Sequence, residues 1–159
     1  MHTFLRTLFV GAILAVGAAG EVSAATADPV VGTWTLNLDK SKFNPGPGPK
    51  SQTRVYAQTA DGISMKVTGT SADGSAIATE SNYKYDGKDY PITGTPNYDT
   101  LALKRVNGST VKSTQKLKGK IVGATTRTVS AHGKVLTLTS KGTDVKGIPF
   151  NDVSVFDKQ

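Results

Sequence analysis

From about residue 30 the chain alternates apolar and polar side chains with a period of two. Trp34, Leu36 and Leu38 alternate with Thr33, Thr35 and Asn37, and Ile63, Met65 and Val67 with Ser64, Lys66 and Thr68. Leu101 and Leu103 alternate with Ala102 and Lys104, and Leu136 and Leu138 with Thr137 and Thr139. Successive strand side chains point to opposite faces, so the pattern predicts strands with one buried and one wetted face, as in an antiparallel sheet in water. The punctuation is regular. Asp61-Gly62, Asp73-Gly74 and Asp86-Gly87 come twelve or thirteen residues apart. Thr95-Pro96-Asn97, Asn107-Gly108, Lys118-Gly119-Lys120, His132-Gly133 and a looser turn from Gly142 to Gly147 follow. Asp-Gly and Asn-Gly tolerate the positive φ that tight hairpins need, so consecutive antiparallel strands are expected. The reading gives ten strands, at 30–39, 51–60, 63–71, 75–85, 88–93, 99–106, 109–117, 120–131, 134–142 and 148–157, with no helix among them.

Ten strands in up-and-down order leave two long unpaired edges unless the sheet closes, and closure predicts an all-β, up-and-down antiparallel barrel of about ten (eight to ten) strands. A transmembrane barrel would need a uniformly apolar outer face with aromatic girdles. Here the faces opposite the apolar ones carry Lys, Asn, Thr and Ser, which argues against it. One junction breaks the rhythm: FNPGPGPK, residues 43–50, holds three prolines and two glycines and cannot be helix or central strand. It is expected to be a stiff loop folded over one mouth of the barrel.

The first residues change the picture of where the chain works. MHTFLRT is followed by twelve apolar or small residues, LFVGAILAVGAA, and by the small-residue site Val22-Ser23-Ala24, the layout of an export signal. Twelve such residues are too few to span a bilayer, which takes about 20. The expected organisation is a leader over 1–24, cleaved after Ala24 or Ala27, and one domain over 25–159, in the periplasm or secreted by Gram-negative-type export. The sequence has no cysteine, hence no lipoprotein site and no disulfide framework. Removing Arg6 and Glu21 with the leader leaves the net charge at +7. That balance favours anionic partners, such as fatty-acid carboxylates or peripheral contact with an anionic envelope surface. Nucleic acid is not expected of an exported chain, and most lysines suit the solvated faces of strands.

These residues resemble a known superfamily. Gly32-x-Trp34 opening the first strand of an up-and-down barrel is similar to the calycins, the lipocalins and fatty-acid-binding proteins, and the cadence TRTVSAHGKVLTLTS to VSVFDKQ resembles the ten-stranded branch. More narrowly, the chain resembles small exported bacterial lipocalin-like proteins. The resemblance implies that Gly32 and Trp34 plug one end of the barrel. It also implies an inward arginine at Arg127. The fatty-acid-binding branch further carries an Arg-x-Tyr pair on its last strand that holds the lipid carboxylate, where this chain has Ser154 and Phe156, so half of that clamp is missing. The branch also has a helix pair where this chain has the Pro-Gly loop.

Catalytic chemistry is poorly represented. Past the leader His132 is the only histidine, in a turn beside Gly133, and no metal-ligand spacing occurs. Neither metal nor other cofactor is expected. The strands offer few inward acids. Parity aims Arg105 with Leu101 and Leu103, and Arg127 with Ile121 and Val129. An inward guanidinium needs an anion or a hydrogen-bonded network, unless it reaches out to water from a strand end, an alternative that fits Arg105 two residues before its turn. Tyr83 and Tyr85 share a face and either line a cavity or pack across strands. Arg127, Arg105, Tyr83, Tyr85 and Met65 are thus the candidate ligand contacts. The leading expectation is a monomeric, non-enzymatic carrier of a small apolar or amphiphilic, fatty-acid-like molecule. A solidly packed interaction or inhibitor module and an enzyme acting on a bound ligand are the alternatives.

Overall fold

The computed structural model describes residues 27–159, and the expected leader over 1–24 lies outside them. Ten strands follow in order: β1 Gly32–Leu36, β2 Ser51–Thr59, β3 Gly62–Thr70, β4 Ala76–Tyr83 and β5 Asp86–Thr93. The second half holds β6 Thr100–Arg105, β7 Thr110–Leu117, β8 Lys120–Val129, β9 Val135–Thr143 and β10 Pro149–Lys158. Each pairs antiparallel with its neighbours in sequence, and β1 closes on β10 with Trp34 opposite Lys158 and Leu36 opposite Phe156. The result is a closed, up-and-down antiparallel barrel of ten strands, with no open edge among the described residues. Alternate strand ends define two barrel ends. One carries the N-terminal segment, the C-terminus and the turns before β3, β5, β7 and β9; the other carries the loop 43–50 and the turns before β4, β6, β8 and β10.

The inner face is built by the alternation. Ile63, Met65 and Val67 on β3, Leu101 and Leu103 on β6, and Leu136 and Leu138 on β9 are buried, while their polar neighbours face outward. Trp34 is fully buried, and its indole N–H donates to the Val30 carbonyl at 2.7 Å. The Lys158 ammonium lies 5.1 Å from the centre of its ring.

Two local expectations fail for identifiable reasons. Leu38 does not share the inner face with Trp34, because β1 ends at Leu36 and a turn stabilised by Ser41 Oγ–H bonding the Asn37 carbonyl at 2.6 Å leaves Leu38 half exposed. Ile121 does not share the face of Arg127, because a bulge opposite Gln115 and Lys116 shifts the register and leaves Ile121 71% exposed. Asp86-Gly87 stands at the centre of the β4–β5 hairpin, as the pairing of Glu80 with Thr93 and Ser81 with Ile92 requires, and Asp86 also pairs with Lys104 where the β5–β6 register is irregular.

The loop 43–50 is tied at both ends. Lys42 bridges Val153, the Asn151 N–H donates to the Asn44 carbonyl at 2.7 Å, and the Lys50 N–H donates to the Thr70 carbonyl at 2.9 Å. It therefore forms a strap across the rim rather than a free loop.

Candidate functional site

The barrel is not filled. A cavity of about 840 Å³ opens beneath the strap, between Pro45 and Pro47 above and Arg54, Met65, Gln115 and Ser140 below. A narrower space of about 110 Å³ continues inward, lined by Tyr56, Tyr83, Leu103 and Arg127. Arg54, Met65, Tyr98, Gln115, Thr125 and Ser154 line both, and so form the waist between mouth and floor.

Arg127 sits at the floor, 6% exposed. Its Nη1–H donates to the Tyr83 hydroxyl at 3.0 Å and its Nη2–H to the Tyr85 hydroxyl at 2.6 Å. The Tyr56 and Tyr85 rings lie 5.3 and 5.4 Å from the guanidinium carbon. Burial pushes the Tyr83 phenol well above its ordinary pKa and that of Tyr85 up to about 12, so both partners are neutral at physiological pH. The positive charge is thus solvated by hydroxyls and ring faces, with no carboxylate in contact.

Tyr85 stands between the lumen and the outside. Its ring is stacked under the Arg105 guanidinium at 4.3 Å, and both residues border an outer hollow of about 560 Å³ at the N-terminal end. Arg105 does not reach the lumen. It pairs with the buried Asp28 carboxylate and donates to the Gly108 carbonyl at 3.2 Å. Burial raises the Asp28 pKa, but the Val30 N–H at 2.9 Å, the Tyr85 hydroxyl and the Arg105 guanidinium outweigh it and hold the carboxyl below its ordinary value. The structure therefore brings Arg127, Tyr83 and Met65 to the lumen and places Arg105 in a floor network linked through Tyr85. Gly32 and Trp34 lie at this same end and line neither lumen cavity.

Arg54 is the lumen residue that parity reasoning missed. It lies on β2 with Gln52 and Tyr56 on the inward face, while Val55, the branched apolar residue of the strand, is 40% exposed. Its Nε–H donates to Gln52 Oε1 at 3.0 Å, and Nη1 reaches the Tyr56 hydroxyl at 3.3 Å and Met65 Sδ at 4.0 Å. The shared parity of Arg54 with Tyr56 was the available signal, and Val55 masked it. The guanidinium lies 5.2 Å over the Phe156 ring, beside the lumen-lining Ser154. A cation from β2 thus stands next to Ser154 and Phe156 of the last strand. The ion pairs of the described residues involve Lys40, Lys66, Lys84, Arg105 and Lys116, so neither Arg54 nor Arg127 has a carboxylate partner among them.

Three acids line the mouth cavity, Asp73, Asp144 and Asp152, and each accepts from a loop N–H group: those of Ser75 at 2.9 Å, Lys146 at 2.8 Å and Asn44 at 2.9 Å. His132 is exposed on its turn, and among the described residues no three His, Cys, Asp or Glu gather into a metal site.

No protein-family model and no curated protein matches the sequence. Among solved structures the chain is similar to zebrafish ileal bile acid-binding protein crystallised with cholic acid, with 11% identity, a TM-score of 0.47 and coverage of 82% of this chain and 99% of that one. It is also similar to a redesigned β-barrel bound to DFHBI, with 14% identity, a TM-score of 0.39 and coverage of 82% and 95%. These are likenesses of barrel shape alone.

Proposed function

We propose that this protein is a non-enzymatic carrier that reversibly holds a small amphiphilic anion inside its barrel. The observation that carries the reading is the pair of lumen guanidiniums, Arg54 and Arg127, without a carboxylate to neutralise either among the described residues. A buried cation stabilised only by neutral groups gains from an incoming anion, because Coulomb attraction is strongest where water is excluded. Arg54 is the better placed of the two. It is only partly buried and lines both cavities, whereas Arg127 is 6% exposed at the floor and lines only the inner one. The apolar part of the ligand would lie against Met65, Leu101, Leu103 and Tyr98, where burial contributes about 25 cal/mol per Å².

The open volume weighs against a solidly packed interaction module. The pinned, acid-shifted Asp28 lies outside the lumen and makes a poor base, which weighs against the enzyme alternative. The leader-like first residues support export, so the proposed setting is the periplasm or the cell exterior, with a monomer as the working form.

The test compares dodecanoate with dodecanol by calorimetry. Arg54→Gln should weaken dodecanoate about 10- to 100-fold, the worth of a charge-assisted hydrogen bond, and leave dodecanol within about twofold. Unchanged dodecanoate affinity in that variant would refute the anion role.

A further inference from the structure

The waist of the lumen is chemically two-sided. On the β7–β10 wall, Gln115 Nε2–H donates to Thr125 Oγ1 at 2.9 Å and to Ser113 Oγ at 3.3 Å, and Thr125 Oγ1 shares a hydrogen bond with Ser140 Oγ at 2.8 Å. Ser154 on β10 follows on the next strand. Four adjacent strands thus present a continuous belt of hydroxyl and amide groups. Past β1, the belt runs on to Arg54 on β2. Across the lumen, β3 and β6 present Met65, Leu101 and Leu103. A carrier for a plain alkyl carboxylate needs one cation and apolar walls, and a polar belt of this length would only cost it affinity.

The belt also has bonding capacity to spare. Gln115 uses its amide N–H groups, while its Oε1 accepts no hydrogen bond from a described residue, and Ser154 Oγ has no partner among them. Neither atom is sealed from the lumen, since no buried side-chain polar atom of the described residues lacks a partner. Gly123 stands opposite Gln115 in the register, and a Cβ there would come within 3.2 Å of Oε1. A larger residue at that position would crowd the acceptor.

We infer that the ligand class is a hydroxylated amphiphilic anion, its charge at Arg54 and its hydroxyl groups on the belt of Gln115, Thr125, Ser140 and Ser154. This rests on the carrier reading above and narrows it. A ligand hydroxyl donates to Gln115 Oε1 and accepts from a serine, so the specificity comes from groups that a hydroxyl-free analogue leaves unpaired.

The experiment measures the Kd of dodecanoate and of 3-hydroxydodecanoate by calorimetry, for the wild type, for Ser140→Ala/Ser154→Ala and for Gln115→Leu. The wild type should prefer the hydroxylated acid by about tenfold or more. The serine double variant, which deletes only two small oxygens, should lose that preference through weaker binding of the hydroxylated acid with dodecanoate no weaker than before, and Gln115→Leu should repeat the result. Equal affinity of the two acids for the wild type overturns the inference and leaves the carrier reading intact. So does a preference that survives in the serine double variant, which stands on its own should Gln115→Leu not fold. Binding of neither acid overturns both.

Discussion

Asp28 lies on no strand, so the alternation that locates the inner face carries no information about it. Yet its carboxylate is 6% exposed and anchors the N-terminal segment to Arg105, Tyr85 and the Val30 N–H. Arg105 is one-third exposed, which weakens the pair through screening. Asp28→Asn should therefore cost about 1–2 kcal/mol at pH 7, a fall in Tm of roughly 4 °C per kcal/mol. The folded pKa is lowered, so the charge contributes fully above the unfolded value of about 3.9 and is lost as pH falls through the folded one. Melting both proteins from pH 7 to about pH 2 should show the gap closing below about pH 5. A gap that stays constant would mean that the carboxylate's charge is not what stabilises. Arg54 was hidden for a different reason. Its strand reads Gln-Thr-Arg-Val-Tyr, where the branched valine argues for the opposite face, and only closure of the barrel around a cationic waist turns Gln52, Arg54 and Tyr56 inward together.

At the scale of elements the sequence was readable wherever period-two alternation met tight turns. Strands β2 to β10 fall within three residues of the expected ends. It failed where local hydrogen bonding overrode the pattern, at the short β1 and at the β8 bulge that turns Ile121 outward and lets Val122 line the cavity. Neither is encoded in a periodicity, since each depends on one particular short-range contact, Ser41 on Asn37 and the β7–β8 register at Gln115 and Lys116. The strap was legible as a stiff interruption, but its anchoring on β10 was not. Phe43 packs its ring against Gly48, where an added Cβ would overlap the ring carbons, so the strap is compacted by its own aromatic over the mouth. Phe43→Ala should loosen this cover without touching the barrel core. The expected result in stopped-flow displacement is a dodecanoate off-rate raised about 3- to 10-fold with Tm changed by no more than about 2 °C. An unchanged off-rate would mean that the strap does not gate release.

For the molecule as a whole, closure of the barrel followed from counting strands and asking where the edges go, whereas the existence of a cavity did not. Whether inward side chains meet across a barrel depends on their summed volumes against its girth, and small residues such as Ser113, Thr125, Ser140 and Ser154 decide that here. The charge distribution adds a kinetic consequence. The net charge of +7 lies mostly on exposed lysines of the outer strand faces and turns, while the two lumen guanidiniums lie inside the barrel, Arg127 buried and Arg54 partly so. Surface charges act over a Debye length of about 10 Å at 0.1 M salt and steer encounter, but pairs inside the barrel are screened far less. Raising salt from about 10 mM to about 0.5 M should therefore slow dodecanoate association several-fold while dissociation changes by less than about twofold, and dodecanol should show neither effect. Stopped-flow association and displacement at matched pH separate the two rates. If salt acted mainly on dissociation, the anion would have to sit at the solvated rim among the lysines, and the waist at Arg54 would not be where the charge is held.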